Sequence, residues 1–309
     1  MIIAILLAIF NIFLLIFPQI VLAAAREGLL LWFNNVLPSL LPFMIVTNML
    51  IMLGFSGYLA RFFAPFMRRF FSLPGAAGFG LVTGLTSGYP MGAKTVSDLY
   101  RENQLNTRQA QHLLSFCNNA GPLFILGAVG VGMFNSTRVG YVLWLSHVLG
   151  ALSVGFLLKS RNNSTLSQGE KRESTRPNVH SAGRILGEAV KSSMDSITVI
   201  GGLIIFFSVV ISVFDVVGLS DDTIFGGVVG GLVEVTSGAR RISSLVPSTT
   251  TLAAAAFVIA FGGFSVHAQT FHFIAETGIK IHTYIFAKFL HGVISAVICA
   301  VLWIFMGLI

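Results

Sequence analysis

Long apolar runs separated by short polar gaps fill this chain, and the runs have the length of bilayer crossings, about 20 residues each. Residues 1–25 form the first. The Ala23-Ala24-Ala25 triplet resembles a signal-peptide cleavage site, but no basic residue precedes Arg26 and the run is longer than an h-region, so a retained transmembrane helix is expected. Residues 29–54 form a second run, interrupted by Pro38 and Pro42, each of which removes a backbone donor and predicts a kink. Residues 55–72 alternate aromatics with Arg61, Arg68 and Arg69, the pattern of a helix lying in the membrane interface.

The next segments do not read as simple spans. Residues 75–85 are apolar and Gly-rich but too short to cross. They run into Thr86-Ser87-Gly88-Tyr89-Pro90-Met91-Gly92 and then a helix bearing Lys94, Asp98, Arg101 and Glu102, which predicts a re-entrant hairpin with its tip in that turn. The run at 108–134 is broken by Cys117-Asn118-Asn119-Ala120-Gly121-Pro122. Two Asn and a Gly-Pro pair at membrane depth are tolerated only where protein or a water-filled cavity satisfies the freed backbone groups. A plain span follows at 139–158, then the one hydrophilic stretch, read as a polar linker over 159–182. The second half has an amphipathic-to-apolar helix at 183–214, an acidic loop with Asp215, Asp221 and Asp222, and a Gly-rich stretch from Gly226. Spans at 252–275 and 283–309 complete it.

The halves echo one another. Gly80-Leu81-Val82 before Thr86-Ser87-Gly88 recurs as Gly231-Leu232-Val233 before Thr236-Ser237-Gly238. The break after Phe116 has a counterpart in Phe261-Gly262-Gly263-Phe264-Ser265-Val266-His267, and Tyr141 with His147 is matched by Tyr284 with His291. The expected organisation is an extra helix (1–25), a first repeat (26–158), the linker (159–182) and a second repeat (183–309). Three crossings between repeat starts make the second repeat inverted. With the N-terminus in the cytoplasm, the Arg61/Arg68/Arg69 helix, Arg101/Arg108, the linker and Lys280 share the inner side and the Asp215 loop lies outside, as the positive-inside rule requires. Inverted repeats with broken helices are the architecture of secondary transporters.

Composition agrees and removes other classes. Hydrophobic residues are 55% of the 309 and charged residues 10%, against about 25% charged in soluble domains. The net charge of +7 is dispersed in gaps between apolar runs rather than gathered on a polar face, so no nucleic-acid partner is expected. Cys117 and Cys299 have neither CxxC partners nor a His cluster at zinc spacing, so neither disulfide nor metal site is read. No HExxH, GxSxG or P-loop occurs, and no carboxylate pair within a span is poised for acid–base work, so no catalytic residue or cofactor is assigned.

Candidate chemistry gathers at the turns and breaks. A half-helix starting at a hairpin tip offers unpaired N–H groups and a positive dipole end to an anion. Ser87, Gly88 and Tyr89 form the first tip and Ser237 and Gly238 the second, with Lys94 and Arg240 following them. Lys94 and Arg240 are read as neutralising an anionic substrate, the other reading being pairing with Asp98 and Glu234 or snorkelling to an interface. Asn118 and Asn119 suit substrate polar atoms or a coordinated cation, or else cap the half-helices. Ser265, His267 and Gln269 take the same part in the second half. His147 and His291 read more readily as interhelical hydrogen-bond residues than as proton relays.

The run Ser87-Gly88-Tyr89-Pro90-Met91-Gly92-Ala93-Lys94 with Ser97-Asp98-Leu99-Tyr100, the break Leu114-Ser115-Phe116-Cys117-Asn118-Asn119-Ala120-Gly121-Pro122, and Phe261 to Gln269 resemble the sporulation integral membrane protein YlbJ (SpoVV) family. That family belongs with the nucleoside-recognition (Gate) domain proteins and is distantly similar to concentrative nucleoside transporters. The resemblance implies an all-α polytopic membrane protein of two inverted repeats, each with a re-entrant hairpin and a discontinuous helix. It also implies movement of dipicolinate, a small dianion, across the mother-cell-derived outer forespore membrane during sporulation. A nucleoside substrate, which would give Asn118, Asn119 and Gln269 more weight than Lys94, and a non-transporting scaffold are the alternatives. A coupling cation, if one is used, is expected at freed carbonyls near residues 118–121 and 262–265. The partners expected are the small anionic substrate and the lipid bilayer, with homo-oligomerisation left open.

Overall fold

The structure is a computed structural model that describes residues 2–159, 182–218 and 223–307; the interior of the expected linker, Asp221 and Asp222 lie outside the described residues. Among the described residues every regular element is helical.

Helix α1 (Ile2–Ile16) and α2 (Pro18–Leu31) meet at a 104° bend. The first helix therefore ends at Ile16 rather than Ala25, and α2 continues through Arg26 and Glu27 without a break. Pro18 opens α2 at the position where its missing N–H has no partner to lose. The kink expected at Pro38 is replaced by a wider turn: Trp32–Val36 winds as a π-helix and leads into α3 (Leu37–Met52), with Pro38 in its first turn and Pro42 inside it. Helix α4 (Ser56–Phe66) follows, continued by a π-helical turn over Met67–Phe71, and this stretch turns 93° away from α3.

The first hairpin is α5 (Ala77–Thr86) and α6 (Met91–Arg101). Next come α7 (Thr107–Cys117), opened by a reciprocal Asn106–Gln109 cap, and a π-helical segment Leu123–Met133, with four residues of broken backbone from Asn118 to Gly121 between them. Helix α8 (Thr137–Leu157) and α9 (Ala182–Val216) are long spans. The second hairpin is α10 (Ile224–Val233) and α11 (Val235–Ser243). Helices α12 (Thr249–Phe261) and α13 (Gly263–Ile274) are interrupted at Gly262, whose φ of 90° only glycine adopts without strain. Helix α14 (Ile281–Gly307) ends the described chain. Among the described residues four helices are long and apolar enough to cross a membrane, or up to six if each bent pair counts as one.

Polarity is inverted relative to a soluble protein. Leu15, Leu22, Phe62, Phe225 and Phe286 are exposed, whereas Lys94, Asn118, Asn119, His147, Lys288 and His291 are buried. Apolar exposure on this scale suits contact with lipid, and polar groups retreat to the interior where they find one another. The chain is a multi-pass membrane protein. Helix α14 lies against α12 and α8, while α2 and α3 pack on α9.

Close backbone approach fixes the first hairpin. A Cβ at Gly84 would overlap the Cys117 carbonyl oxygen, which is rigid backbone at the mouth of the first break. Gly84→Ala is expected to destabilise the protein by about 1–3 kcal/mol, the usual scale of overpacking. Thermal unfolding in detergent checks this against Gly187→Ala, where a Cβ meets nothing within 4 Å.

Candidate functional site at the two helix breaks

The first hairpin's turn lies on the first break: the Gly88 Cβ position is 2.7 Å from the Gly121 nitrogen. The second break lies on the second hairpin, with the Gly263 Cβ position 2.8 Å from the Gly231 carbonyl oxygen. Tyr89, Ala120, Val235, Ala239 and Val266 share one apolar cluster. Both hairpin turns and both breaks thus converge.

Asn118 is the hub. Its backbone is extended (φ −88°, ψ 91°), which turns its side chain and carbonyl out of helical register. The side-chain amide donates to Thr270 Oγ1 (2.9 Å) on α13 and to Tyr284 Oη (2.8 Å) on α14, and Oδ1 accepts from the Ala93 N–H (3.2 Å) on α6. Asn118 therefore ties four helices together. Asn119 donates to the Phe116 carbonyl (2.8 Å), closing the end of α7, and its own Oδ1 has no partner. Capping is thus realised by Asn119, and tertiary bridging by Asn118.

A residue passed over in the sequence occupies the centre. Lys288, fully buried on α14, donates to the Asn118 carbonyl (2.9 Å) and contacts His291 Nδ1 (2.8 Å). His291 Nε2 lies 2.9 Å from the His147 carbonyl. A carbonyl only accepts, so Nε2 carries the hydrogen and Nδ1 of the neutral ring accepts from Lys288. His147 Nε2 accepts from the Ala120 N–H (3.1 Å) at the break, leaving Nδ1 to carry a hydrogen that has no partner. No carboxylate among the described residues lies within 4 Å of Lys288. The signal that could have found it is plain: Lys288 is the one Asp, Glu, Lys or Arg between residues 281 and 309, and a cation inside a span is functional by default.

His267 is buried with neither ring nitrogen bonded, inside a box of Phe261, Tyr284 and Phe264 at 4.6, 5.4 and 6.0 Å between ring centroids. Ser87 Oγ and Tyr89 Oη are also buried without partners. Ser265 and Gln269 are buried on α13 with His267.

The remaining sequence candidates lie elsewhere. Lys94 is buried on α6 but bonded to Asp98 (2.8 Å) and to Asn48 Oδ1 (2.8 Å), and Asn48 donates to Ser193 on α9 (2.9 Å). It lines a cavity of about 440 Å³ between α6, α9 and α13, with the Arg101–Glu276 pair among the other lining residues. Arg240 is exposed and pairs with Glu27 (2.9 Å) instead of Glu234. The second turn falls at Glu234, one turn earlier than read from sequence. Its carboxylate caps α11 by accepting from Thr236 N (3.0 Å) and Ser237 N (2.7 Å), and Gly238 lets α11 press on Gly231.

The Lys94–Asp98 pair has side-chain exposures of 8% and 23%, so breaking it strands a cation in partial shelter. Asp98→Asn is expected to destabilise by roughly 1–3 kcal/mol, less than a fully enclosed pair would lose. A thermal-shift double-mutant cycle with Lys94→Met reads the coupling.

Residues 33–137, from the π-helical turn before α3 to the start of α8, match the Gate family, described as nucleoside recognition. A search of curated proteins finds the sporulation integral membrane protein YlbJ of Bacillus subtilis (strain 168), 36% identical over 320 aligned positions that cover 93% of this chain and 78% of the relative. The chain belongs to the YlbJ family. No solved structure matches it significantly. The YlbJ-type chain is thus a helical membrane protein carrying a Gate domain, and the first hairpin, the first break and Asn118 all fall inside that domain.

Proposed function

We propose that this protein is a membrane transporter for a small organic anion, dipicolinate first among candidates, which it carries during sporulation. The observation that carries the reading is Lys288: a buried cation with no carboxylate within 4 Å among the described residues, bonded to the carbonyl that the first helix break frees. Such a charge is expensive in a membrane interior and calls for an anionic partner. The orphaned Ser87, Tyr89, Asn119 and His267 groups offer further donors and acceptors at the first hairpin turn and the two breaks, and no catalytic role is assigned to any residue. Transport proceeds by alternating access at the level of the breaks. The two halves act as inverted repeats, 26–158 and 183–309, with the N-terminus in the cytoplasm and the protein in the outer forespore membrane. The hairpins and broken helices move against α2, α3 and α9, to which they are joined by the polar contacts Lys94–Asn48, Arg240–Glu27 and Arg241–Asp215. Lys94, lining the cavity beside α9, serves the anion on its way in.

A nucleoside substrate is the second reading, favoured by the Gate description and by the uncharged orphan groups. Uptake of radiolabelled dipicolinate and uridine into proteoliposomes decides between them. Saturable dipicolinate uptake with uridine excluded is expected. Uridine uptake alone would replace the substrate, and uptake of neither would return the protein to a scaffold role.

A further inference from the structure

A broken helix in a transporter commonly lends its freed carbonyls to a coupling cation. In this chain the Asn118 carbonyl, freed by the first break, already holds the Lys288 ammonium at 2.9 Å. We propose that the coupling ion is a proton carried by Lys288, whose ammonium sits in the carbonyl position that a metal cation would otherwise take. The inference rests on the transport reading and adds to it the ion that travels with the anion.

The geometry gives that proton two seats. Lys288 Nζ and His291 Nδ1 are 2.8 Å apart, so one short transfer moves the proton from the amine to the imidazole and back with no other atom displaced. His291 is held for this by its bond to the His147 carbonyl, which keeps Nδ1 turned towards Lys288. The titratable groups facing Lys288 are Cys117 from α7, His147 from α8, His267 from α13, and Tyr284 and His291 on α14 itself. Helix α12, packed along α14, brings none. No carboxylate among these groups can fix the charge, so the ammonium is matched in full only when an anion is beside it. The anion and the proton then enter together, the proton taken from water on the loading side onto the Lys288–His291 pair and returned to water on the far side when the anion leaves. Linkage makes the coupling reciprocal: an anion that favours the protonated pair is itself bound more tightly when the pair is protonated.

Calorimetric titration of the purified wild-type protein with dipicolinate, and separately with uridine, tests this in buffers of different ionisation heats at neutral and mildly alkaline pH, with sodium and with choline as the salt. The expected result is that dipicolinate binding draws about one proton from the buffer at the alkaline pH, tightens as pH falls, and is indifferent to sodium. Lys288→Met should lose the proton signal with the binding. Lys288→Arg, a cation that keeps its proton, should bind without drawing one. Binding that needs sodium and takes up no proton would overturn the proton inference and leave the transport reading intact. Failure of both solutes to bind, with no flux in proteoliposomes, would overturn the transport reading and this inference together. The wild-type proton count decides even where a variant fails to fold.

Discussion

Lys288→Met is expected to abolish saturable dipicolinate uptake while the protein remains folded. The side chains are of similar length, so α14 keeps its packing against α8 and α12. Losing the ammonium leaves two buried acceptors, the Asn118 carbonyl and His291 Nδ1, without their donor, at about 1–3 kcal/mol each. Against this, a cation with no counter-ion no longer has to be kept out of water, and replacing a buried charge by an apolar group is often neutral. The net change in stability is therefore small, whereas the anion loses its charge partner. Truncating one side of a buried charge contact costs about 2–5 kcal/mol, or roughly one and a half to three and a half orders of magnitude in affinity. Initial uptake rates and detergent melting curves, measured on the same preparations, check both halves. Uptake within threefold of wild type would remove Lys288 from the site.

Much of the architecture could be read in the sequence because breaks announce themselves locally. Asn-Asn followed by Gly-Pro, and Gly-Gly inside an apolar run, mark points where backbone groups must be satisfied by something other than their own helix. Both breaks stand where that reasoning put them. The first hairpin was legible for the same reason, its turn residues being adjacent in sequence. Boundaries were harder. Pro18 ends α1 early, yet an apolar run shows no change of hydropathy there, and Arg26-Glu27 looked like the natural end of a span although α2 passes through it. In the second hairpin the Thr-Ser-Gly echo drew the tip to Ser237 and Gly238, whereas the capping carboxylate of Glu234 sets it. Arg240 sits beside that turn in sequence but points to the surface, because helical geometry and not proximity in the chain decides which face a residue occupies. Lys288 was visible as a lone charge in a span, but its role was not. A single cation barely lowers the average hydropathy of a 27-residue helix, and the carbonyl it serves lies 170 residues away. Its meaning is tertiary.

Asn118→Asp should separate the site's chemistry from its scaffolding. The substituted side chain keeps the shape of Asn118 and its acceptor for the Ala93 N–H. The Tyr284 and Thr270 hydroxyls, which accept from the amide in the native protein, can rotate to donate to a carboxylate instead, Thr270 giving up its bond to the Val266 carbonyl. What changes is charge: Lys288, bonded to the same residue's carbonyl, acquires an internal anion. A paired buried cation is cheaper than an unpaired one, so the melting temperature should stay within about 3 °C of wild type or rise, a shift of at most roughly 1 kcal/mol for a chain of this size. Dipicolinate affinity should fall at least about a hundredfold, since the substrate must then displace a tethered carboxylate and meet its repulsion. Asn118→Leu provides the contrast. It keeps no side-chain bond to α6, α13 or α14 and should lose about 3–5 kcal/mol of stability along with binding, as three severed hydrogen bonds and their stranded partners imply. A stable Asn118→Asp protein that still bound uridine but not dipicolinate would place the nucleoside in the same pocket and limit Lys288 to recognising charge. If the variant bound dipicolinate as tightly as wild type, the anion would have to lie elsewhere, and Lys94 in its cavity beside α9 would be the place to look.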